Sequence, residues 1–178
     1  MAFKPHAYLF VDGSCGAKQD VGAWAAIAAT QAHRKLLYGT TYPATISRCE
    51  LLPIIEGLRW IKRNWVKGQG FRVVVYSDSE YTVKSLSGLY EQRKNEELWA
   101  AVAVAASGMQ VRYVWRERNT MLYMELCDAI CGNLRRGTLN MLRKCFNDVK
   151  QPEKMLPYGA LPDDVDEQEE NSEISTHS

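Results

Sequence analysis

Two apolar runs, each stopped by an aspartate, constrain this chain more than any other feature. Ala7-Tyr8-Leu9-Phe10-Val11 runs into Asp12-Gly13-Ser14, and Phe71-Arg72-Val73-Val74-Val75-Tyr76 runs into Ser77-Asp78-Ser79. A continuous apolar run bounded by turn residues suits a strand covered on both faces. An aspartate at the exit of such a strand is costly unless its charge is compensated. Taken alone, Asp12 reads equally well as the first residue of a turn. The second copy shifts the reading, because parallel neighbours would bring both aspartates out at one carboxyl edge, where open α/β sheets place their ligands. Two carboxylates ~4 Å apart repel by ~4 kcal/mol at an effective dielectric of about 20. Such a pair persists by sharing a proton or by binding a cation, so a divalent metal is the expectation.

With 178 residues, 46% hydrophobic and 24% charged, the chain suits one globular domain with a substantial core. No window approaches the ~20 apolar residues of a membrane span, and no apolar stretch of signal-peptide type precedes the first strand. Five cysteines (Cys15, Cys49, Cys127, Cys131, Cys145) lack paired CxxC spacing, which argues for reduced thiols and an intracellular, cytoplasmic location, nucleoid or viral factory included. The net charge of +1 hides an asymmetry. Residues 1–150 carry 21 Lys and Arg against 13 Asp and Glu, whereas residues 151–178 carry one Lys against eight acids. A basic body suits a polyanionic partner. The segment from Gln151 has too little apolar area to order itself and reads as a disordered acidic tail that competes weakly with nucleic acid for residues 1–150.

In order along the chain, Val21–Thr30 and Arg34–Gly39 read as strands that join the first in an antiparallel meander. Leu51, Leu52, Ile54, Ile55, Leu58, Ile61 and Trp65 fall on one helical stripe. Ser47 is a candidate N-cap, and Pro53 predicts a helix that begins late or bends near Glu50. Glu50, near that end, would in any case complement the helix dipole. Helices are expected over Ser79–Leu86, Asn95–Ser107 and Leu122–Arg136, a fifth strand over Gln110–Trp115, and one more helix over Leu139–Val149. Asp128 lies on the helix from Leu122, with Glu125 on the adjacent turn.

Three strands, a helix with Glu, a strand ending in Asp-Ser, helices, a fifth strand and a helix with Cys-Asp: in this order the chain resembles the type 1 ribonuclease H family. The matching pieces are VDGSC at 11–15, TISRCEL at 45–51, YSDSEYT at 76–82, KNEELW at 94–99, and WRER leading to ELCDAI at 125–130. The resemblance implies an α/β, RNase H-like fold with a five-stranded mixed sheet, strands 1–3 antiparallel, strands 1, 4 and 5 parallel, and helices on both faces. It implies that Asp12, Glu50, Asp78 and Asp128 are catalytic and hold two divalent cations, Mg²⁺ or Mn²⁺. Oxygen-only ligands suit these hard ions. Two of them about 4 Å apart can activate water and stabilise the leaving oxygen of an in-line displacement at phosphorus. The implied activity is hydrolysis of the RNA strand of an RNA/DNA hybrid by a monomer that needs no small-molecule cofactor and no membrane. The alternatives are a binding module of this fold with little catalysis, or a nuclease for another duplex or junction.

Substrate contacts carry over in part. Thr45, Ser47 and Arg48 match the family segment that touches phosphates and minor-groove atoms, with Ile46 where asparagine is common. Gly13 and Ser14 would offer backbone contacts to the scissile strand, and Glu80 stands where glutamine is common. Lys84, Arg93 and Lys94 are candidates for DNA-strand phosphates, and Trp99 reads as core. The loop Arg116–Thr120 lacks the family's usual histidine, leaving Arg118 or Glu117 to act locally, and Met124 replaces the asparagine usual four residues before Asp128. Cys15, Cys49 and Cys127, beside ligands in sequence, read as small buried apolar side chains.

Overall fold

The computed structural model describes residues 3–16, 21–92 and 94–136. The expected helix over 139–149, the acidic tail and Arg93 lie outside the described residues.

β1 (Ala7–Cys15), β2 (Gly22–Ala29) and β3 (Arg34–Thr41) form the antiparallel meander. β4 (Phe71–Ser77) then pairs parallel to β1, and β5 (Met109–Trp115) parallel to β4, giving the order β3-β2-β1-β4-β5. Parallel pairs need crossovers, which α1 (Ile46–Asn64) and the pair α2 (Glu80–Leu86) and α3 (Glu96–Ala106) supply. α4 (Leu122–Arg136) follows β5.

Strand alternation sorts the core into two layers. Leu9, Val11, Ala26, Ala28, Val73 and Val75 meet Leu51, Ile54, Ile55, Leu58 and Ile61 of α1 and Trp99 and Val102 of α3. On the other face Tyr8, Phe10, Ala23, Ala25, Ile27 and Tyr76 meet Tyr123, Cys127, Ile130 and Cys131 of α4. The alanines of β2, fully buried, let helices approach it from both sides. Trp99 is core, as expected, and its indole N–H donates to the Lys94 carbonyl at 3.0 Å.

Two local expectations are corrected. Thr45, not Ser47, caps α1: its hydroxyl accepts from the Arg48 N–H at 3.2 Å, and Ser47 lies in the first turn. With Thr45 as cap, the helix begins at Ile46 and continues through Pro53, so of the two alternatives Pro53 offered, a late start and a bend near Glu50, the late start is ruled out. Pro53 has no N–H for the carbonyl of Cys49 four residues earlier, and that carbonyl faces Gly13 of β1.

Candidate active site

The ladder between β1 and β4 ends at Phe10 opposite Tyr76. Two residues further on each strand stand Asp12 and Asp78. β1 does not stop at Asp12, as a turn would require, because its pairing with β2 continues to Cys15 opposite Gly22. Asp12 is therefore held by one ladder at the point where the other has ended. Asp78 is fixed differently: its carbonyl accepts from the Trp115 indole N–H at 3.1 Å, and the Arg116 N–H bonds the Ser77 carbonyl at 3.0 Å.

Glu50 reaches this edge because α1 packs unusually close to β1. A Cβ on Gly13 would lie 2.3 Å from the Cys49 carbonyl oxygen and 2.4 Å from its carbon. Only glycine permits that approach. It places Glu50, the next residue of the helix, close enough to Asp12 and Asp78 for their charges to raise its pKa. Asp128, exposed on α4, lines one small cavity with Asp12, Asp78, Arg118, Asn119, Met124 and Glu125. The four acids expected from sequence thus converge on one edge, and Glu125 joins Asp128 in the same cavity.

The electrostatics are those of crowded, poorly solvated carboxylates. Asp12 is 3% exposed, and neither of its carboxylate oxygens has a hydrogen-bond partner. Burial above all, then the charges of Asp78 and Asp128, pushes its pKa up to about 7. Burial likewise holds Glu50 well above the usual carboxylate range, with Asp12 and Asp78 adding to it, and Glu50 Oε2 is enclosed without a partner. Arg118 opposes both shifts. Its Nε donates to Asp78 Oδ2 at 2.9 Å, and Asn119 beside it adopts a left-handed φ of 63°.

Three enclosed carboxylate oxygens without partners, two of them on a group that burial resists ionising, suit a hard cation. The donor set is oxygen throughout, as Mg²⁺ or Mn²⁺ requires. Among the described residues no three His, Cys, Asp or Glu side chains stand as a preformed metal-binding cluster. The cation in contact with Asp78 here is the Arg118 guanidinium.

The expected substrate residues divide. Gly13 serves the close helix packing, and the Ser14 hydroxyl accepts from Arg135 of α4 at 2.6 Å. Thr45 is engaged in capping. Arg48 Nε is enclosed without a partner. Glu80 pairs with Lys84 one turn along α2 at 2.9 Å, and the Lys84 ammonium lies 5.4 Å from the centre of the Tyr90 ring. Arg135 gave no signal in the sequence, since its contact with Ser14 spans 121 positions. Arg118 was named from the sequence, with Glu117, as a residue that could act locally in the loop, but its contact with Asp78 was not foreseen.

A carboxylate edge on a sheet of this order, with α4 on one face and α1 and α3 on the other, defines an RNase H-like fold. Comparison with known proteins agrees. The RNase H family model matches residues 4–129. The chain is 35% identical over 120 residues to a ribonuclease H of Aromatoleum aromaticum, covering 60% of this chain and 74% of that protein. It is 31% identical over 138 residues to a ribonuclease H of Cupriavidus metallidurans, covering 70% and 91%. Among solved structures, ribonuclease H1 of the archaeon Halobacterium salinarum superposes with a TM-score of 0.64 at 15% identity, covering 74% of this chain and 98% of that one. The LC11 ribonuclease H1, solved in complex with an RNA/DNA hybrid, superposes with a TM-score of 0.58 at 17% identity, covering 71% and 94%. The chain belongs to the RNase H family and is an enzyme of the ribonuclease H kind.

Proposed function

We propose that the chain hydrolyses the RNA strand of RNA/DNA hybrids, with Asp12, Glu50, Asp78 and Asp128 holding two Mg²⁺ or Mn²⁺ ions. The observation that carries this is the set of enclosed, unpartnered oxygens, Asp12 Oδ1 and Oδ2 and Glu50 Oε2, at the edge shared with Asp78 and Asp128. When bound, divalent ions supply an activated water and stabilise charge on the leaving oxygen.

The chain's own residues do the rest. Asp12 and Glu50 are held rigidly by β1 and by the contact of Gly13 with α1. Arg118 orients Asp78 by a charge-assisted hydrogen bond. Arg48, with an enclosed Nε that has no partner, and Arg135, on Ser14, bring positive charge toward a phosphate backbone. The hybrid in the LC11 complex supports this choice of duplex. A labelled RNA/DNA hybrid, duplex RNA and duplex DNA are incubated with the protein and Mn²⁺ beside an Asp78→Asn control. Cleavage of the RNA strand of the hybrid, absent from the control, is the expected result; no cleavage above the control on any of the three would overturn the reading.

A further inference from the structure

Cys15 and Cys49 form a second chemical group in this molecule, one that cation binding does not use. The residue opposite Cys15 across the β1–β2 ladder is Gly22. A Cβ on Gly22 would lie 2.3 Å from the Cys49 sulfur, so the missing side chain of Gly22 is the space that the Cys49 thiol fills. Directly opposed residues of an antiparallel pair share a face. Leu9 and Val11 pack with α1, and the same alternation turns Cys15 toward α1 as well. The Cys49 sulfur and Cys15 therefore lie on the same face beside the same glycine, near enough that the charge of Cys15 adds to burial in raising the Cys49 pKa to about 12. Cys49 is 1% exposed, whereas Cys15 is half-buried and within reach of solvent. The two thiols of α4 are occupied elsewhere: Cys127 and Cys131 donate to the carbonyls of Phe10 and Asp12, each at 3.5 Å, and both are fully buried.

We propose that Cys15 and Cys49 are a peroxide-responsive dithiol whose oxidation to a disulfide displaces Glu50 and weakens cation binding. The chemistry balances with hydrogen peroxide as oxidant. The Cys15 sulfur attacks one peroxide oxygen, the O–O bond breaks, and water leaves with Cys15 as its sulfenic acid. The Cys49 sulfur then attacks the Cys15 sulfur. The S–S bond forms, the S–O bond breaks, and the departing hydroxide takes the Cys49 proton as a second water. Two thiols lose two electrons and two protons, and one peroxide becomes two waters.

The effect on Glu50 follows from the packing. A disulfide holds its two sulfurs ~2.05 Å apart, well inside the contact distance of two unbonded thiols. Cys49 cannot meet Cys15 by sliding its backbone toward β1, because its carbonyl already touches Gly13. Whatever part of the gap the side-chain torsions of Cys15 and Cys49 leave open falls to rotation of the α1 turn that carries Cys49, and Glu50 moves with it. A displacement of ~1 Å at a positioned group can lower its effectiveness by on the order of 100-fold. The loss of cation affinity expected here is about tenfold or more.

This consequence rests on the proposed metal site, and the test keeps the two apart. The reduced protein is treated with hydrogen peroxide, remaining thiols are alkylated, and the digest is mapped by mass spectrometry. Mn²⁺ affinity is measured by calorimetry before oxidation, after it, and after dithiothreitol. The expected result is a peptide pair linked through Cys15 and Cys49, two hydrogens lighter than its reduced form. Mn²⁺ affinity should fall about tenfold, return with dithiothreitol, and stay unchanged by peroxide in Cys15→Ser. No linked pair, or a pair joining other cysteines, overturns the dithiol. A linked pair with unchanged Mn²⁺ affinity overturns the switch. Failure of the reduced protein to bind Mn²⁺ at all refutes the metal site, while the mapped link still decides the dithiol.

Discussion

Replacing Asp12 with asparagine should stabilise the metal-free protein at pH 8 and leave it near wild type at pH 4. Asp12 is 3% exposed, its oxygens have no hydrogen-bond partners, and its pKa stands at about 7 against an ordinary value of 3.8. A raised carboxyl pKa means that the folded state holds this proton more tightly than the unfolded chain does. The stability that results is complete below about pH 4 and is lost as pH rises through about 7. Above that, the folded protein carries a buried, uncompensated carboxylate. The gap corresponds to ~4 kcal/mol at about 1.4 kcal/mol per pH unit. Asp78, Asp128 and Glu50 share the same field, so the part assignable to Asp12 is ~2–4 kcal/mol. For a folded body of this size that is roughly 5–15 °C in Tm. Thermal unfolding followed by circular dichroism, in chelator, from pH 4 to pH 8, measures it for wild type and Asp12→Asn. Comparing the two pH values cancels any constant effect of burying an amide. Mn²⁺ added at pH 8 should raise the wild-type Tm and leave the variant nearly unmoved. Identical pH dependence in the two proteins would refute the claim that Asp12 is buried in a cation-seeking site.

Two further substitutions probe the same edge. Arg118→Ala removes the cation that contacts Asp78 at 2.9 Å through an arginine side chain that is 60% exposed. Such a pair is worth up to ~1 kcal/mol, so calorimetric Mn²⁺ affinity at pH 8.5 should tighten by about fivefold. Because Arg118 also lowers the pKa of Asp12 and of Glu50, the gain should shrink at pH 6.5, where protons compete better; weaker binding at both pH values would count against displacement of Arg118 by the ion. Gly13→Ala places a methyl 2.3 Å from the Cys49 carbonyl oxygen. It should cost ~1–3 kcal/mol in denaturant unfolding and weaken Mn²⁺ binding through Glu50, and wild-type values for both would show that the contact has room to relax.

What the sequence disclosed was whatever rests on local periodicity. The strands of the sheet centre are buried on both faces, so Ala7–Val11 and Val73–Tyr76 stand out as unbroken apolar runs, and their aspartates mark one edge. The stripe of α1 was legible for the same reason. Two details were lost because one short stretch fits two geometries. Thr45 and Ser47 are both good caps, and only the hydroxyl's position relative to the Arg48 N–H decides between them. Asp12 before Gly13 looks like a turn, and only the pairing with β2, with Asp12 opposite Ala25 and Cys15 opposite Gly22, shows that β1 continues. Arg118 on Asp78 spans 40 positions and Arg135 on Ser14 spans 121, distances at which no spacing rule operates.

Pro53 shows how such distant constraints combine. A proline seven residues into a helix looks like a local error, and on local grounds it predicted a late start for α1 or a bend near Glu50. Its missing N–H leaves the Cys49 carbonyl without its usual intrahelical donor, and it is at that carbonyl that Gly13 brings β1 closest to α1. Helix and strand therefore meet through a residue lacking a donor and a residue lacking a side chain. Each looks like a weakness within its own element, and together they set Glu50 beside Asp12. The same approach brings Cys49 to Gly22 and so to Cys15. The carboxylate edge and the dithiol are thus two outcomes of one close contact, and a perturbation of Gly13 should be felt at both.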